Sequence, residues 1–428
     1  MSSIESPYFP QLWLVNKTTL LQDRVEFWGR QGIYALAIGF MTYIACLWLC
    51  RLYFHPLSNI LALRLPKIYH DVYLGGKFFL AIDEMHRKYG PIVRINPDEV
   101  HLDDPEILDT IFPSAGRRTS KPKVVGKRTG TPNSMVATMD HDMHRRRRNA
   151  VNTFFSTASI QRLEPIMQDH ISRIDVITIY AFGDSFGFLD EPDLGRPYFE
   201  ATGLFFELTH IFGHFTCREI RISPNPERIK NTIFEGILNS GLPDEDKTDA
   251  RLAAEAQLVV FAGEGTTAYT LTAVVDSLPY LNAIINEVVR LHPGVMNRQP
   301  RISPDVPIVL PPGTLTTMSP LTTHMNASVF PGPYEFRPLR WIDNPKIARA
   351  FLGFSRGSRG CLGMNLAGKE MAMILGTLFR RYELYSGQEG RTLELFDTQR
   401  ARDIDPHSDY VIPIPAPGSK GLQGRIRA

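Results

Sequence analysis

From Gly32 to Cys50 the chain reads GIYALAIGFMTYIACLWLC, nineteen residues without a charge, set between Arg30 and Arg51. A helix of that length crosses a bilayer, and Tyr34, Tyr43 and Trp48 suit its interfaces. A cleaved secretory signal competes with this reading, but about thirty residues precede the run and no small-residue cleavage site follows it. Beyond the run the patterning changes. Pro91–Asp104 carries two short alternating stretches around Asn96-Pro97-Asp98, which predicts a β-hairpin. Helical periodicity covers Thr248–Asp276, Leu278–Leu291 with Pro279 in its first turn, and Asn365–Tyr382. Between the last two, Ser303–Asn344 is rich in Pro, Gly and β-branched residues and predicts short strands and turns; Tyr410–Leu422 has the same irregular character. The expected fold class is therefore mainly α with small β-sheets, preceded by one transmembrane helix.

Composition narrows the function classes. With 43% apolar and 21% charged residues the chain is globular, which excludes disorder, collagen-like repeats and coiled coil as its main character. Lys plus Arg (47) nearly cancels Asp plus Glu (45), so no global field recommends nucleic acid. The run His144-Arg145-Arg146-Arg147-Arg148 reads either as a solvated basic face or as a nucleic-acid patch, but no aromatic platform or second basic cluster supports nucleic acid. The four cysteines, Cys46, Cys50, Cys217 and Cys361, are too scattered for a disulfide framework or a paired-cysteine zinc site. Any cysteine chemistry rests on a single thiol.

One cysteine stands apart. Phe354-Ser355-Arg356-Gly357-Ser358-Arg359-Gly360-Cys361-Leu362-Gly363 is a glycine-rich loop directly ahead of a predicted helix. A lone cysteine is ordinarily a small buried hydrophobe. Here every residue type has a mechanical reason if a haem sits on the sulfur. A thiolate pushes electron density onto haem iron; Gly357 and Gly363 let the backbone bend and approach a flat ring. Arg359 can pair with a cofactor carboxylate, Phe354 can pack beside the sulfur, and loop N–H groups can moderate its charge.

This stretch resembles the haem-binding signature FxxGxRxCxG of the cytochrome P450 haem-thiolate monooxygenases, at every fixed position. Glu287-Val288-Val289-Arg290 resembles the ExxR element of that family, and Phe336-Arg337-Pro338-Leu339-Arg340-Trp341 its FxPxRW partner. The resemblance implies a cytochrome P450 fold holding heme b with Cys361 as iron ligand, and a Glu287, Arg290 and Arg340 triad that locks the proximal side. By itself ExxR is a common surface pair. Ala262-Gly263-Glu264-Gly265-Thr266-Thr267 is similar to the family's oxygen-activation segment, which implies that Thr266 hydrogen-bonds dioxygen and relays protons. The acid expected immediately before the threonine is replaced by Gly265, with Glu264 displaced by one position. Two glycines in a helix predict a kink or groove, the alternative being a loop between two shorter helices. By the same resemblance His144 and Arg148 serve a haem propionate, and so does Arg301, with Arg298 the competing choice.

Similarity runs from Arg51-Leu52-Tyr53-Phe54-His55-Pro56 to Gly418-Ser419-Lys420-Gly421 and is greatest to fungal secondary-metabolite members. It has gaps. Twelve residues separate Thr266 from Pro279, too few for the helices the family places there, and Phe205–Ser240 is short for a pocket roof. The expected organisation is a luminal tail over residues 1–31, an anchor over 32–50, a linker over 51–70 and a haem-binding catalytic domain over 71–428. The expected function is a monooxygenase of the endoplasmic reticulum membrane with its catalytic domain cytosolic. It would take electrons from an NADPH-cytochrome reductase and insert one atom of O₂ into an apolar small metabolite, terpenoid or polyketide. The alternatives are a haem-thiolate isomerase or dehydratase needing no reductase, suggested by Gly265, and a shortened, inactive haem or membrane protein, suggested by the gaps.

Overall fold

The structure is a computed structural model. It describes residues 31–170, 232–272, 281–302 and 310–427, apart from 48, 55–56, 58–68, 115–116, 124, 126–130, 132 and 312. Two units divide the chain at 59/60, inside the expected linker. In the first, residues 31–47 are helical, and Ile33, Leu36, Ile38, Phe40 and Met41 are exposed. Among the described residues no helix is long and apolar enough to cross a membrane.

The second unit is mainly helical with three small sheets. Its principal helices are α1 (Phe78–Tyr89), α2 (His141–Asn152), α3 (Thr157–His170), α4 (Asp249–Thr272), α5 (Leu281–Leu291) and α6 (Met364–Arg381). The expected hairpin forms as β1 (Ile92–Asn96) and β2 (Glu99–Leu102), antiparallel, with Val93 opposite His101. Val93 and Ile95, two apart on β1, bury one face against Phe78, Ile82 and Met85 of α1. Strands β3 (Gln299–Ile302) and β4 (Leu315–Met318) complete a sheet of order β1-β2-β4-β3, in which β2 and β4 run parallel. A second sheet joins β5 (Glu383–Leu384), β6 (Thr392–Leu395) and β9 (Gly424–Arg427); β7 (Ser408–Tyr410) and β8 (Ile412–Ile414) form the third.

Two packing centres position the site. Ile284, Ile285, Val288 and Val289 of α5 meet Met371 and Leu375 of α6. Val151 of α2, Ile160 of α3, Leu252 and Ala256 of α4 and Leu366 of α6 share a second cluster with Ile233 and Ile237. Helix α2 starts where the Asp140 carboxylate accepts the N–H of Met143 at 2.8 Å.

Some expectations are corrected. The stretch predicted as strands and turns from Ser303 to Asn344 also holds two short helices, Pro320–His324 and Arg340–Asp343. At the start of the expected irregular tail, a hairpin of β7 and β8 turns at Val411 with φ 80°, in keeping with its strand-and-turn character. Glycines do not break α4, which runs unbroken through Gly263 and Gly265, so the alternative of a loop between two shorter helices fails. Residues 273–280, 303–309 and most of the expected roof, with Cys217, lie outside the described residues.

Candidate active site

The loop that carries Cys361 is closed on itself. The Cys361 N–H donates to the Phe354 carbonyl at 2.7 Å, and the Gly360 N–H to the Gly357 carbonyl at 3.0 Å. Gly357 sits at φ 70°, and a Cβ there would lie 2.5 Å from the Pro113 carbonyl oxygen, so only glycine fits. The Ser358 N–H donates to that same carbonyl at 3.1 Å, docking the loop on the segment after Leu108–Ile111. Gly363 differs: its φ is −80°, and a Cβ would meet nothing nearer than the Cys361 Sγ at 4.0 Å.

The sulfur faces a cavity of about 390 Å³, and its side chain is accessible from there. Burial pushes the thiol up, opposed by the N–H of Gly363, the Arg148 guanidinium and the N–H of Met364. The wall opposite belongs to α4, where Glu255, Leu258, Val259, Ala262 and Gly263 recur at helical spacing on one face. Glu264 and Thr266 lie on this helix, and their side chains are outside the described residues.

Positive charge dominates the rest of the lining. Arg301 is buried beside the Phe112 ring and donates to Ser355 Oγ at 3.2 Å; burial and Arg359 hold its pKa down to about 9. Arg359 is buried and donates to the carbonyls of Thr138, Met139 and Asp140 at 2.7, 3.0 and 3.1 Å, leaving its Nε without a partner. Burial brings it down to about 10, with Asp140 opposing and Arg148 reinforcing the shift. Arg148 donates to the Gly360 carbonyl at 2.6 Å. His144 is held neutral, its pKa pushed to about 2 by burial and by Arg359, Lys121 and Arg148. Arg298 also lines the cavity, but its charge is met by Glu99 at 3.1 Å. Of the two candidates, Arg301 and not Arg298 brings a charge with no carboxylate paired to it among the described residues.

The triad residues come together away from the cavity. Glu287 and Arg290 are fully buried on α5 and paired at 2.8 Å; Arg340 Nε reaches the same carboxylate at 3.1 Å and Trp341 Nε1 at 2.9 Å. Burial alone would raise the Glu287 carboxyl, but Arg290, the Arg337 N–H and Trp341 bring it below its ordinary value. Arg290 then donates to the carbonyls of His324 and Pro333 at 3.0 and 2.7 Å, tying α5 to the segment ahead of the cysteine loop.

Three cavity residues were not expected. Lys121 lines the wall, and burial together with Arg301, Arg359 and Arg148 holds its pKa well below the ordinary lysine value. No pattern in the sequence separates it from the other basic residues of its segment. Glu255 accepts the Met135 N–H at 2.8 Å and pairs with Arg251 at 3.0 Å. Its place seven residues before Ala262 puts it on the same helix face, a signal that periodicity carries. Glu370 lies nine residues after Cys361, and burial raises its carboxyl to about 8.

These residues fit a haem. Lys121, Arg148, Arg301 and Arg359 line one cavity with no carboxylate paired to any of them among the described residues, which suits a cofactor bearing two carboxylates. The orphaned Arg359 Nε points to the same deficit.

Known proteins resemble this chain. The family model for Cytochrome P450 matches residues 272–402. Stellatic acid synthase of Emericella variicolor is 30% identical over 519 positions, covering 95% of this chain and 97% of that protein. N-acetyltryptophan 6-hydroxylase ivoC of Emericella nidulans is 31% identical over 464 positions, covering 83% of this chain and 88% of that protein. Retinoic acid bound cyanobacterial CYP120A1 superposes with a TM-score of 0.62 at 16% identity, over 86% of this chain and 99% of that one, a likeness of fold.

Proposed function

The chain belongs to the cytochrome P450 family, and from that premise we propose that it is a membrane-anchored monooxygenase of fungal secondary metabolism acting on an apolar small molecule. The observation that carries the activity is the Cys361 sulfur, facing a cavity under two backbone N–H groups and ringed by buried cations. The family and fold imply a cysteine-ligated haem b, whose chemistry is the activation of dioxygen at iron. Cys361 is the residue to hold the iron. The N–H groups of Gly363 and Met364 temper the sulfur's charge, and Arg148 holds the loop by its bond to Gly360. Arg301 and Arg359 bind and orient the carboxylate edge. The apolar residues Val259, Ala262 and Val289 exclude water from the cavity. Thr266 and Glu264 are assigned proton transfer by their place in the motif on α4.

The anchor, the endoplasmic reticulum location, the NADPH-cytochrome reductase and the terpenoid or polyketide substrate belong to the same reading. Exposed Ile33, Leu36, Ile38, Phe40 and Met41 on the helical residues 31–47 favour burial in lipid. One reconstitution tests the reading: microsomes holding the full chain, a reductase and NADPH under ¹⁸O₂, offered a terpenoid and polyketide panel. The expected result is label in product that depends on reductase and NADPH, together with carbonate-resistant pelleting that is lost on deleting residues 1–50. Reductase-independent conversion would instead select the isomerase or dehydratase reading.

A further inference from the structure

Residues 133–139 line one wall of the cavity through Met135 and Val136 and belong to no strand or helix. Side chains from elsewhere hold this backbone instead. Arg147 of α2 donates to the Asn133 carbonyl at 3.2 Å and to Thr138 Oγ1 at 2.8 Å. Lys121 donates to the Val136 carbonyl at 3.0 Å, and Arg359 of the cysteine loop to those of Thr138 and Met139. Those three only donate. The Met135 N–H needs an acceptor, and Glu255 Oε2 of α4 supplies it at 2.8 Å.

Glu255 and Arg251 lie one turn apart on α4, both buried, and pair at 3.0 Å through the same Oε2. Arg251 meets the carboxylate through Nη2, its Nε and Nη1 having no hydrogen-bond partner among the described residues. One and two turns beyond Glu255, Leu258, Val259 and Ala262 line the cavity on the same helix. Packing alone does not call for a buried ion pair here, because hydrophobic side chains of similar volume serve as well. What the carboxylate supplies, and a hydrophobic residue cannot, is an acceptor for a main-chain N–H outside any regular element.

We propose that Glu255 is a positioning residue: its bond to the Met135 N–H sets the distance between the 133–139 wall and the α4 face, and with it the room for a bulky molecule in the cavity that Cys361 faces. The part of the test that uses bound haem rests on the haem-thiolate reading.

Two double variants of the full chain separate the bond from the ion pair. Arg251→Leu with Glu255→Gln removes both charges and keeps an acceptor; Arg251→Leu with Glu255→Leu removes both charges and the acceptor. In hydrogen exchange of the haem-free chain, the Met135 amide of the second variant should exchange about 10- to 100-fold faster than in the first, the range of one lost buried hydrogen bond. Amides of α5 should keep the parent's protection in both, which shows that the fold stands. In the haem-loaded chain, 4-phenylimidazole, long enough to meet the walls, should bind the second variant about 3- to 10-fold more weakly than the first, whereas imidazole should bind both within about twofold. Equal Met135 exchange in the two variants would overturn the proposal. So would an equal change for both imidazoles, or unchanged 4-phenylimidazole binding beside altered exchange, which would leave the bond with no hold on the cavity. Failure of the parent chain to give any thiolate-type carbonyl spectrum would defeat the haem-thiolate reading instead, and the exchange comparison on the haem-free chain still decides the proposal.

Discussion

Arg298 and Arg301 are three residues apart at one edge of a sheet, and their neighbours give them different work. Arg298 lies over the Phe78 ring and against Glu99, a closed pair inside the β-rich region. Among the described residues Arg301 donates only to Ser355 and to its neighbouring carbonyl of Pro300. Removing one member of a buried pair leaves the other charge uncompensated, at about 3–5 kcal/mol. Arg298→Leu should therefore lower the unfolding free energy measured in urea by that order while leaving haem retention per folded molecule close to the parent. Arg301→Leu should do the reverse, with haem passing to apomyoglobin on the order of tenfold faster. Loss of haem retention in Arg298→Leu alone would exchange their roles. Sequence reading left this choice open because both arginines match the resemblance, and only the position of Glu99, 199 residues away in the chain, separates them. Cys361 was legible for the opposite reason: its neighbours at fixed spacing build a local loop whose bonds, such as Cys361 N–H to Phe354, span few residues. Lys121 was illegible because its meaning comes from β3, α2 and the cysteine loop together.

Elements with a sustained period were readable, and elements fixed by distant contacts were not. The hairpin and the helices α4, α5 and α6 follow alternation and helical spacing, and those of their ends that lie among the described residues, such as both ends of α6, differ from expectation by a residue or two. Pro320–His324 and Arg340–Asp343 span barely more than one turn and show no period. They exist because His324 accepts the Leu352 N–H at 2.9 Å and donates to the Arg290 carbonyl at 3.0 Å, and because Trp341 and Arg340 reach Glu287. A second histidine joint links α1, β2 and the residue after β4. His86 donates to the Gly90 carbonyl at 2.9 Å, which leaves its Nε2 to accept from His101 at 2.7 Å, whose Nε2 accepts from Ser319 at 2.8 Å. This one-way chain requires both rings neutral. Burial depresses His101 well below 6.5, His86 below it, and His324 to about 3. Because the folded pKa values are lowered, the unfolded chain takes up these protons first as pH falls. Their contribution is complete above the unfolded value near 6.5 and is lost progressively below it. A ring that stays neutral in the folded chain at pH 5.5, as His324 does with its pKa held to about 3, costs about 1.4 kcal/mol there, and His101 and His86 act in the same direction. Urea unfolding at pH 7.5 and 5.5 should show a loss of that order, and a flat profile would contradict the neutral chain.

At the scale of the molecule, the match to stellatic acid synthase extends over 519 positions against a chain of 428 residues, so at least 91 of those positions have no counterpart here. That agrees with the short connection of twelve residues between Thr266 and Pro279. Length was therefore readable from motif spacing, because ordered family landmarks act as a ruler even where no single element is known. Around the cavity, however, the parts that hold a cofactor are assembled: the cysteine loop, the cation ring, the α4 face and the Glu287 network that ties α5 in place. The account stands on the claim that this assembly binds haem through the Cys361 sulfur. The carbon monoxide difference spectrum of the reduced full chain, compared with Cys361→Ala, tests it most directly. A thiolate-type Soret band in the parent chain and its absence in Cys361→Ala is the predicted result; the same band persisting in Cys361→Ala, or no such band in the parent, would contradict it.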